Sequence, residues 1–391
     1  MRINQTIITS LLAVAPLLAA AQATFEVGGV VYTEDLSDPS KLAVIVVAKK
    51  SPMVMEGMSA YEGDIVIPST VEHDLDTYQV TGIAQGAFMG AEVESLVIND
   101  GPTKILSNCI NCQKLEKLVL PSTMTSIDFI FAPSLEELTL GDNIKTMENC
   151  FMGGNALSEL TMPTALKTVT NSFINGGGLS KLTFGPNVKK IEGSFTIMSG
   201  LESLTLPSSL KTLKGSFIAC DRLTSLEIQE GLQKVESSFV GCRALKELKL
   251  PKSLATIEGS FSDLAITELS LPEGVTTIRN SFTGCSDLTT LTFPNSLTSV
   301  SGSFRGCRNL KEVHFGTGFS DIEGAIGYNL VHLEKMYCPW AVPPAVPSEL
   351  KRCDGLTVYV PKGSAQAYAE AWGLADVNKV KQRVTVEEAD F

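Results

Sequence analysis

Apolar residues recur along this chain at a regular spacing. The pattern is clearest in residues 201–206 (LESLTL), and it returns in residues 223–228 (LTSLEI). Blocks of this kind begin at Val93, Leu115, Leu135, Leu157, Leu179, Leu201, Leu223, Leu245, Ile266, Leu288, Leu310 and Leu333. The eleven intervals between these starts average about 22 residues. A fixed period of this length predicts an array of repeats rather than the two or three ordinary domains that 391 residues would otherwise suggest.

Each block predicts a short strand followed by a turn. Residues 204–206 (LTL) alternate apolar and polar side chains, which is the pattern of a strand buried on one face. Pro207 follows directly, and proline is tolerated where a strand ends. The second half of the block adds further apolar positions, such as Leu213 and Phe217. A Leu-x-x-Leu-x-Leu head repeated in this way is typical of leucine-rich repeats. We therefore predict a β-rich, right-handed leucine-rich-repeat solenoid over residues 93–338, with one short strand per turn in a parallel sheet.

The segments outside the array are predicted to be caps. Residues 24–92 would form an N-terminal β cap with a first atypical repeat, and residues 339–391 a C-terminal α+β cap. Terminal turns of a repeat stack need such covers because their cores would otherwise face water. The elements predicted within the caps are strands at 25–32, 42–47 and 356–360 and a helix at 364–372. An alternative is that one cap is a small binding domain.

Three further motifs connect the chain to a known family. The element Ile-x-x-Ser-Phe, as at residues 191–195, recurs through the array and is followed in several turns by Gly-Cys, as at residues 241–242. The segments GDIVIP (63–68) and VYVPKGS (358–364) lie at opposite ends of the chain. Together these motifs resemble the BspA-like branch of bacterial leucine-rich-repeat surface proteins. The resemblance implies a surface or secreted protein and, for some members, adhesion to host extracellular proteins.

One position departs from the family pattern. Family repeats usually carry alanine before the phenylalanine, whereas this chain carries serine there in seven turns. These serines are Ser172, Ser194, Ser216, Ser238, Ser260, Ser281 and Ser303. We expect a geometric reason for the repeated serine rather than a catalytic one, because no Gly-x-Ser-x-Gly nucleophile elbow is present.

Composition and the N-terminus bear on location. The chain carries 43 acidic and 31 basic residues, a formal charge of −12, which disfavours nucleic acid and anionic membranes as partners. Residues 1–23 combine Arg2, an apolar run over 7–18 and small residues up to Ala23, which predicts a cleaved secretory signal peptide. Pro16 breaks the run, which is too short for a spanning helix, and no later segment would span a bilayer. We expect a secreted or cell-surface protein, and a periplasmic location stays open.

Alternation along the strands predicts a binding face. Side chains that point outward form columns on the stacked strands, and one column supplies our candidate binding residues. These are Thr139, Thr161, Thr183, Thr205, Glu227, Lys249, Thr292 and His314. In leucine-rich repeats this sheet lines the concave side, which solenoids use for partners. The alternative is that the threonines are ordinary solvated strand residues. Because we find no aromatic residue or arginine in the columns, we expect a broad contact rather than a tight pocket.

Few residues could carry chemistry. Cys338 and Cys353 in the C-terminal cap form the predicted disulfide of an exported protein. Cys220 and Cys242 share one repeat position, where a small apolar side chain would fill the interior, and a strained disulfide between them is an alternative. Only three histidines are present, and no spacing completes a zinc site. We predict no metal, no cofactor and no catalytic residues.

These observations favour a non-enzymatic exported scaffold that mediates protein binding or adhesion at the cell surface. Extracellular or host-matrix proteins are the expected partners, and the oligomeric state stays open. A structural component of the envelope or matrix that self-associates is the first alternative. An enzyme with its site in a cap is the second, although neither cap shows a nucleophile, a base and an orienting group together.

Overall fold

The structure is a computed structural model. It describes residues 23–38, 42–105, 108–153, 156–319, 322, 325–326, 331–345, 350, 353, 355–373 and 384–391. The predicted signal peptide, apart from Ala23, lies outside the described residues.

Short strands dominate the described chain. The N-terminal strands are β1 (Thr24–Val27), β2 (Val30–Glu34), β3 (Ala43–Val46), β4 (Glu62–Ile67), β5 (Thr70–His73), β6 (Asp76–Ile83), β7 (Phe88–Met89), β8 (Glu92–Ile98) and β9 (Lys104–Ile105). The next are β10 (Ile110–Asn111), β11 (Lys117–Val119), β12 (Ser126–Asp128), β13 (Ile130–Phe131), β14 (Glu137–Thr139), β15 (Thr146–Glu148), β16 (Glu159–Thr161), β17 (Thr168–Thr170), β18 (Lys181–Thr183), β19 (Lys190–Glu192) and β20 (Ser203–Leu206).

The C-terminal half continues the series. Its strands are β21 (Thr212–Lys214), β22 (Ser225–Ile228), β23 (Lys234–Glu236), β24 (Thr256–Glu258), β25 (Glu268–Ser270), β26 (Thr277–Arg279), β27 (Thr290–Thr292), β28 (Ser299–Ser301), β29 (Glu312–His314), β30 (Lys335–Tyr337), β31 (Leu356–Pro361) and β32 (Val384–Ala389). The helix α1 (Ala365–Ala371) lies between β31 and β32.

Strands from the Leu-x-x-Leu-x-Leu heads stack in parallel and form what we call the leucine sheet. Equivalent residues of consecutive turns pair, as Leu204 does with Leu226. The leucine sheet is divided into three parts, ordered β14-β11-β8-β4, β16-β18-β20-β22 and β25-β27-β29-β30-β31-β32. Pairing at intervals of one repeat confirms the predicted leucine-rich-repeat solenoid.

A second strand in each turn was not predicted. Nine such strands form an unbroken parallel sheet, which we call the second sheet, ordered β12-β15-β17-β19-β21-β23-β24-β26-β28. Its strands are three residues long, as in Lys190–Glu192, where only Ile191 is buried. A run of three residues is too short to show a period in the sequence. The strand forms because its backbone N–H and C=O groups pair with those of the equivalent strands in the turns before and after it.

The caps follow the prediction in outline. Residues 25–32, predicted as one strand, are instead a hairpin of β1 and β2. Gly28 and Gly29 both have positive φ, which two-residue hairpin turns require. At the other end, β31 and α1 lie where a strand and a helix were predicted, and β32 pairs with β31. The domain boundaries at residues 92 and 338 stay a prediction.

Phenylalanine rings form a column through the core. One ring per turn stacks on the next, with centroids 4.9 to 5.5 Å apart and ring planes within 21° of parallel. The members are Phe151, Phe173, Phe195, Phe217, Phe239, Phe261, Phe282 and Phe304. All have φ between 55° and 59°, a left-handed conformation that costs a side chain with a Cβ about 1–2 kcal/mol. Burial of a whole ring contributes about 1.5–3 kcal/mol and offsets that cost.

The seven repeated serines form a hydrogen-bonded ladder beside the phenylalanine column. The Ser194 N–H donates to Ser216 Oγ at 3.1 Å, and that hydroxyl donates to the Lys214 carbonyl at 2.8 Å. The Phe217 N–H donates to the Ser194 carbonyl at 3.2 Å. All seven serines are fully buried, so their hydroxyls satisfy backbone groups that water does not reach. This is the geometric reason for serine at this position.

We expect Ser238→Ala to destabilise the fold. The Ser238 hydroxyl accepts from the Ser216 N–H at 3.1 Å and donates to the Glu236 carbonyl at 2.8 Å. Alanine leaves the buried Ser216 N–H without a partner, at about 1–3 kcal/mol, whereas the Glu236 carbonyl still accepts from the Gly215 N–H at 2.8 Å. Denaturant unfolding measures the loss.

Ser238→Cys is the matched control for this prediction. Cys150 precedes its phenylalanine as the serines do, and its Sγ donates to the Glu148 carbonyl at 3.0 Å. We therefore expect the cysteine variant to lose less stability than the alanine variant. An alanine variant as stable as the unsubstituted chain would show that the ladder does not stabilise the fold.

Candidate functional site

The predicted binding column lies on the outer face of the leucine sheet. Thr161 pairs with Thr183, and Thr292 pairs with His314, so these residues form one row across neighbouring strands. The residues from Thr139 to Lys249 in this column are exposed, whereas Thr292 and His314 are half-buried. Lys249 lies in a segment that forms no strand. That the column binds a partner, and that its face is concave, stay predictions.

The middle of the column borders a shallow cavity. The cavity measures about 450 Å³, and Thr183 and Thr205 lie in its lining together with Phe184 and Pro207. Nearby charges are paired: Lys181 Nζ lies 3.1 Å from Glu159 Oε2. The face here offers hydroxyl groups and neutralised charges, which suit a broad polar contact.

The column continues past His314 into aromatic residues that the sequence analysis missed. Pairing of β29, β30 and β31 places His314, Tyr337 and Tyr359 in one row. The His314 and Tyr337 ring centroids are 4.1 Å apart, and those of Tyr337 and Tyr359 are 4.6 Å apart. We call these three residues the aromatic ladder. The expectation that the column lacks aromatic residues is therefore wrong at this end of the sheet.

The sequence does contain a signal for one member of the aromatic ladder, Tyr337. Tyr337 stands four residues after the block start Leu333, as His314 stands four residues after Leu310. The column could therefore have been extended by one turn. Tyr359 follows the Pro-rich run 339–347, where the repeat spacing is lost, so only the strand pairing reveals it.

Charged groups flank the aromatic ladder. His314 Nε2 lies 2.7 Å from Glu312 Oε1, and Lys335 Nζ lies 3.7 Å from the other oxygen of the same carboxylate. Burial, and then the Glu312 charge, raise the pKa of the Tyr337 hydroxyl above its ordinary value of 10.0. Tyr337 therefore stays neutral around pH 7, with a hydroxyl that can donate and accept hydrogen bonds. The arrangement suits recognition of polar and aromatic groups.

The nine cysteines are all buried. Those at the shared repeat position hydrogen-bond to the phenylalanine column, as Cys242 Sγ does to the Phe217 carbonyl at 3.2 Å. The thiols of Cys220 and Cys242 also contact each other. Cys338 and Cys353 both lie in the interior of the C-terminal cap, and the disulfide between them stays a prediction. Within the described ranges, no three His, Cys, Asp or Glu side chains cluster as a metal site would require.

Leucine heads that pair between turns, together with a column of stacked phenylalanines, define a leucine-rich-repeat solenoid. The chain belongs to the BspA-type leucine-rich-repeat family. The family described as "BspA type Leucine rich repeat region" matches it in six copies, within residues 74–148, 129–238 and 214–334. The resemblance inferred from the sequence motifs is thereby confirmed.

Solved structures share this architecture at low sequence identity. A leucine-rich repeat protein from Bacteroides ovatus is 17% identical, covers 94% of this chain and 100% of its own, and superposes with a TM-score of 0.57. The pneumococcal vaccine antigen PcpA is also 17% identical, with 94% and 99% of the two chains covered and a TM-score of 0.46. A leucine rich cell surface protein from Faecalibacterium prausnitzii is 14% identical, with 94% and 95% covered and a TM-score of 0.39.

Two further findings concern relatives and membranes. No functionally curated relative matches the chain. Across the part of the chain that the structure describes, no helix is both long enough and apolar enough to cross a membrane.

Ionisation of the buried thiols predicts a loss of stability at alkaline pH. Burial raises the pKa values of Cys112 and Cys150 from 9.0 to about 12 in the fold. Each thiol therefore favours the folded state fully below about pH 9, and that contribution is lost as pH rises toward 12. The expected loss is about 1.4 kcal/mol per pH unit and per thiol, measured by urea unfolding between pH 8 and 11.

Cys150→Ser isolates the effect of one thiol. Serine already stands before the phenylalanine in seven other turns, so the variant is expected to fold, and it removes one ionisable group. We expect its free energy of unfolding to fall less steeply above pH 9, by the slope of one proton. Identical pH slopes for both proteins would contradict the assignment of Cys150 as a buried neutral thiol.

Proposed function

We propose that this chain is an exported, non-enzymatic scaffold that binds extracellular proteins at the cell surface. The outer face of the leucine sheet is the binding surface, and the aromatic ladder near its C-terminal end is the part that contributes most to binding. Repeat solenoids serve as scaffolds with extended binding faces, which supports the class of function. The predicted signal peptide at residues 1–23 supports export.

The observation that carries the proposal is the aromatic ladder. Tyrosine is enriched at the residues that dominate protein interfaces, because it offers a large contact area and a hydroxyl. Each ring of the ladder stacks on its neighbour, so little side-chain freedom is left to lose on binding. The threonines and paired charges of the neighbouring turns would border the aromatic ladder as a polar rim.

A self-associating structural component is the second candidate. The observation in its favour is β32, which pairs with β31 on one side and with no other strand of the described chain. Such an edge is a template for pairing with another chain. Its residues Glu387 and Glu388 oppose pairing with a second copy, because the copies would bring like charges together. We therefore place protein binding first.

A binding measurement with matched variants tests the proposal. The purified chain is presented to a panel of extracellular-matrix proteins by biolayer interferometry. We expect at least one to bind, and the double variant Tyr337→Ala and Tyr359→Ala to weaken that binding by about tenfold or more, as for hot-spot residues.

The control for this experiment lies on the second sheet. Thr256→Ala and Thr277→Ala change side chains of β24 and β26, which belong to the other sheet. We expect these variants to bind as the unsubstituted chain does. Binding that is indifferent to the tyrosines would overturn the assigned face. Absence of any bound matrix protein, with self-association seen by light scattering, would favour the structural role.

A further inference from the structure

The leucine sheet is open at one turn in the middle of the array. Residues 245–250 (LKELKL) occupy the place of a leucine strand between β22 and β25, yet they form no strand. In residues 201–319, which are described without a gap, no backbone hydrogen bond joins residues 246–250 to β22 or β25. On the opposite side of the same turn, β23 and β24 pair in full register. The turns therefore separate on the leucine side alone.

Apolar side chains are partly exposed at the opening. Leu226 is only partly buried, whereas Leu204 and Leu291, at the same position of other turns, are buried. Leu250 is likewise only partly buried, whereas Leu206 and Phe293, at its position, are buried. A cavity of about 410 Å³ lies between β22 and the unpaired segment, and Leu226 lines it. A strand residue fills about 160 Å³, given strands about 4.8 Å apart, a rise of about 3.4 Å and sheets about 10 Å apart. The cavity thus has room for two to three residues of an extended chain.

Charge repulsion does not account for the separation of residues 246–250 from β22. At the other break in the leucine sheet, Glu137 of β14 and Glu159 of β16 stand at equivalent positions, and like charges across strands oppose pairing. At the opening beside β22, the residues at those positions are Ser225 and Glu247, which bring no like charges together, and at the next outward position Glu227 and Lys249 carry opposite charges that favour pairing. The sequence LKELKL also keeps the apolar alternation of a leucine strand. The separation therefore leaves β22 and residues 246–250 each with an unpaired edge, although their side chains do not oppose strand pairing.

Unpaired strand edges are templates for a further strand. Backbone N–H and C=O groups at a sheet edge bind extended peptides through main-chain hydrogen bonds, while pockets select alternate side chains. We propose that the opening takes one extended segment of a partner protein, inserted as a strand between β22 and residues 246–250. Apolar side chains at alternate positions would contact Leu226, and polar ones would lie beside Glu227 and Lys249.

This inference rests on the proposed function, because it states the form in which a protein partner is held. It differs from the aromatic ladder in the contact it uses. The ladder binds through side chains, whereas the opening binds through backbone groups. An experiment can therefore reject strand insertion at the opening without rejecting binding by the aromatic ladder, and the reverse.

Hydrogen exchange on the full chain tests the first half of the inference. Amides of residues 246–250 have no backbone partner in the structure, whereas those of β27 lie in a strand that pairs along its whole length with β25 and β29. We expect the former to exchange at least about a hundredfold faster in the free protein. Equal protection of the two segments would show a closed sheet in solution and would overturn the inference.

A synthetic peptide tests the second half. The probe has the sequence of residues 201–207 (LESLTLP), because that segment pairs with a β22 edge in the native array. We expect the peptide to slow exchange at residues 246–250 in a concentration-dependent way. A peptide of the same sequence with alternate amides N-methylated is the control, and it should give no protection. No protection by either peptide at millimolar concentration, or equal protection by both, would contradict strand insertion.

Two variants of one residue separate backbone from side-chain binding. By the register of the neighbouring strands, the Lys249 N–H faces β22, and it takes part in no described backbone hydrogen bond. We expect Lys249→Pro to weaken peptide protection at least about tenfold without lowering the thermal midpoint, and Lys249→Ala to keep it. Equal effects of the two variants would overturn backbone pairing. Loss of matrix-protein binding in the tyrosine variants alongside a closed sheet would leave the proposed function standing and reject this inference alone.

Discussion

Each turn of this solenoid buries backbone groups against the next turn, and those groups need partners that water does not supply. The serine ladder provides them. Six of the seven serine hydroxyls accept from the N–H of the serine one turn earlier, Ser172 Oγ accepts from the Cys150 N–H, and each hydroxyl donates to a carbonyl of its own turn. The carbonyls of the first six serines in turn accept from the phenylalanine N–H of the following turn. The ladder therefore holds the chain where the phenylalanines must adopt a left-handed conformation, and the stacked rings offset the strain of that conformation.

The two sides of the solenoid differ in continuity. The second sheet is unbroken over nine strands, and ion pairs run along its outer face, as where Lys214 lies between Glu192 and Glu236. The leucine sheet breaks twice, and the inward leucines Leu138 and Leu226, in the strands before the two breaks, are only partly buried. The second sheet, whose strands pair without a break, fixes the spacing of the turns. The broken side keeps unpaired backbone groups and half-buried aromatic rings on its outer face, which are the features that a partner can use.

The sequence predicts the solenoid well, because a period of about 22 residues and the alternation in each head are local patterns that strand pairing must follow. It predicts the serine position as structural but not the hydrogen bonds, since these join residues of different turns. The second strands and Tyr359 were missed because three residues show no period and the Pro-rich run hides the spacing. The opening at residues 246–250 has no sequence signal, because LKELKL has the same pattern as heads that do pair.

The central claim is that the chain folds as identical turns held in register, and deletion of one turn tests it most directly. Removal of residues 201–222 takes out one whole repeat and leaves every remaining ladder in register, whereas removal of residues 201–211 shifts all later turns by half a repeat. Circular dichroism with urea unfolding should show the first protein folded, with a single cooperative transition, and the second one unfolded. Equal loss of structure in both deletions, or equal tolerance of both, would contradict the account.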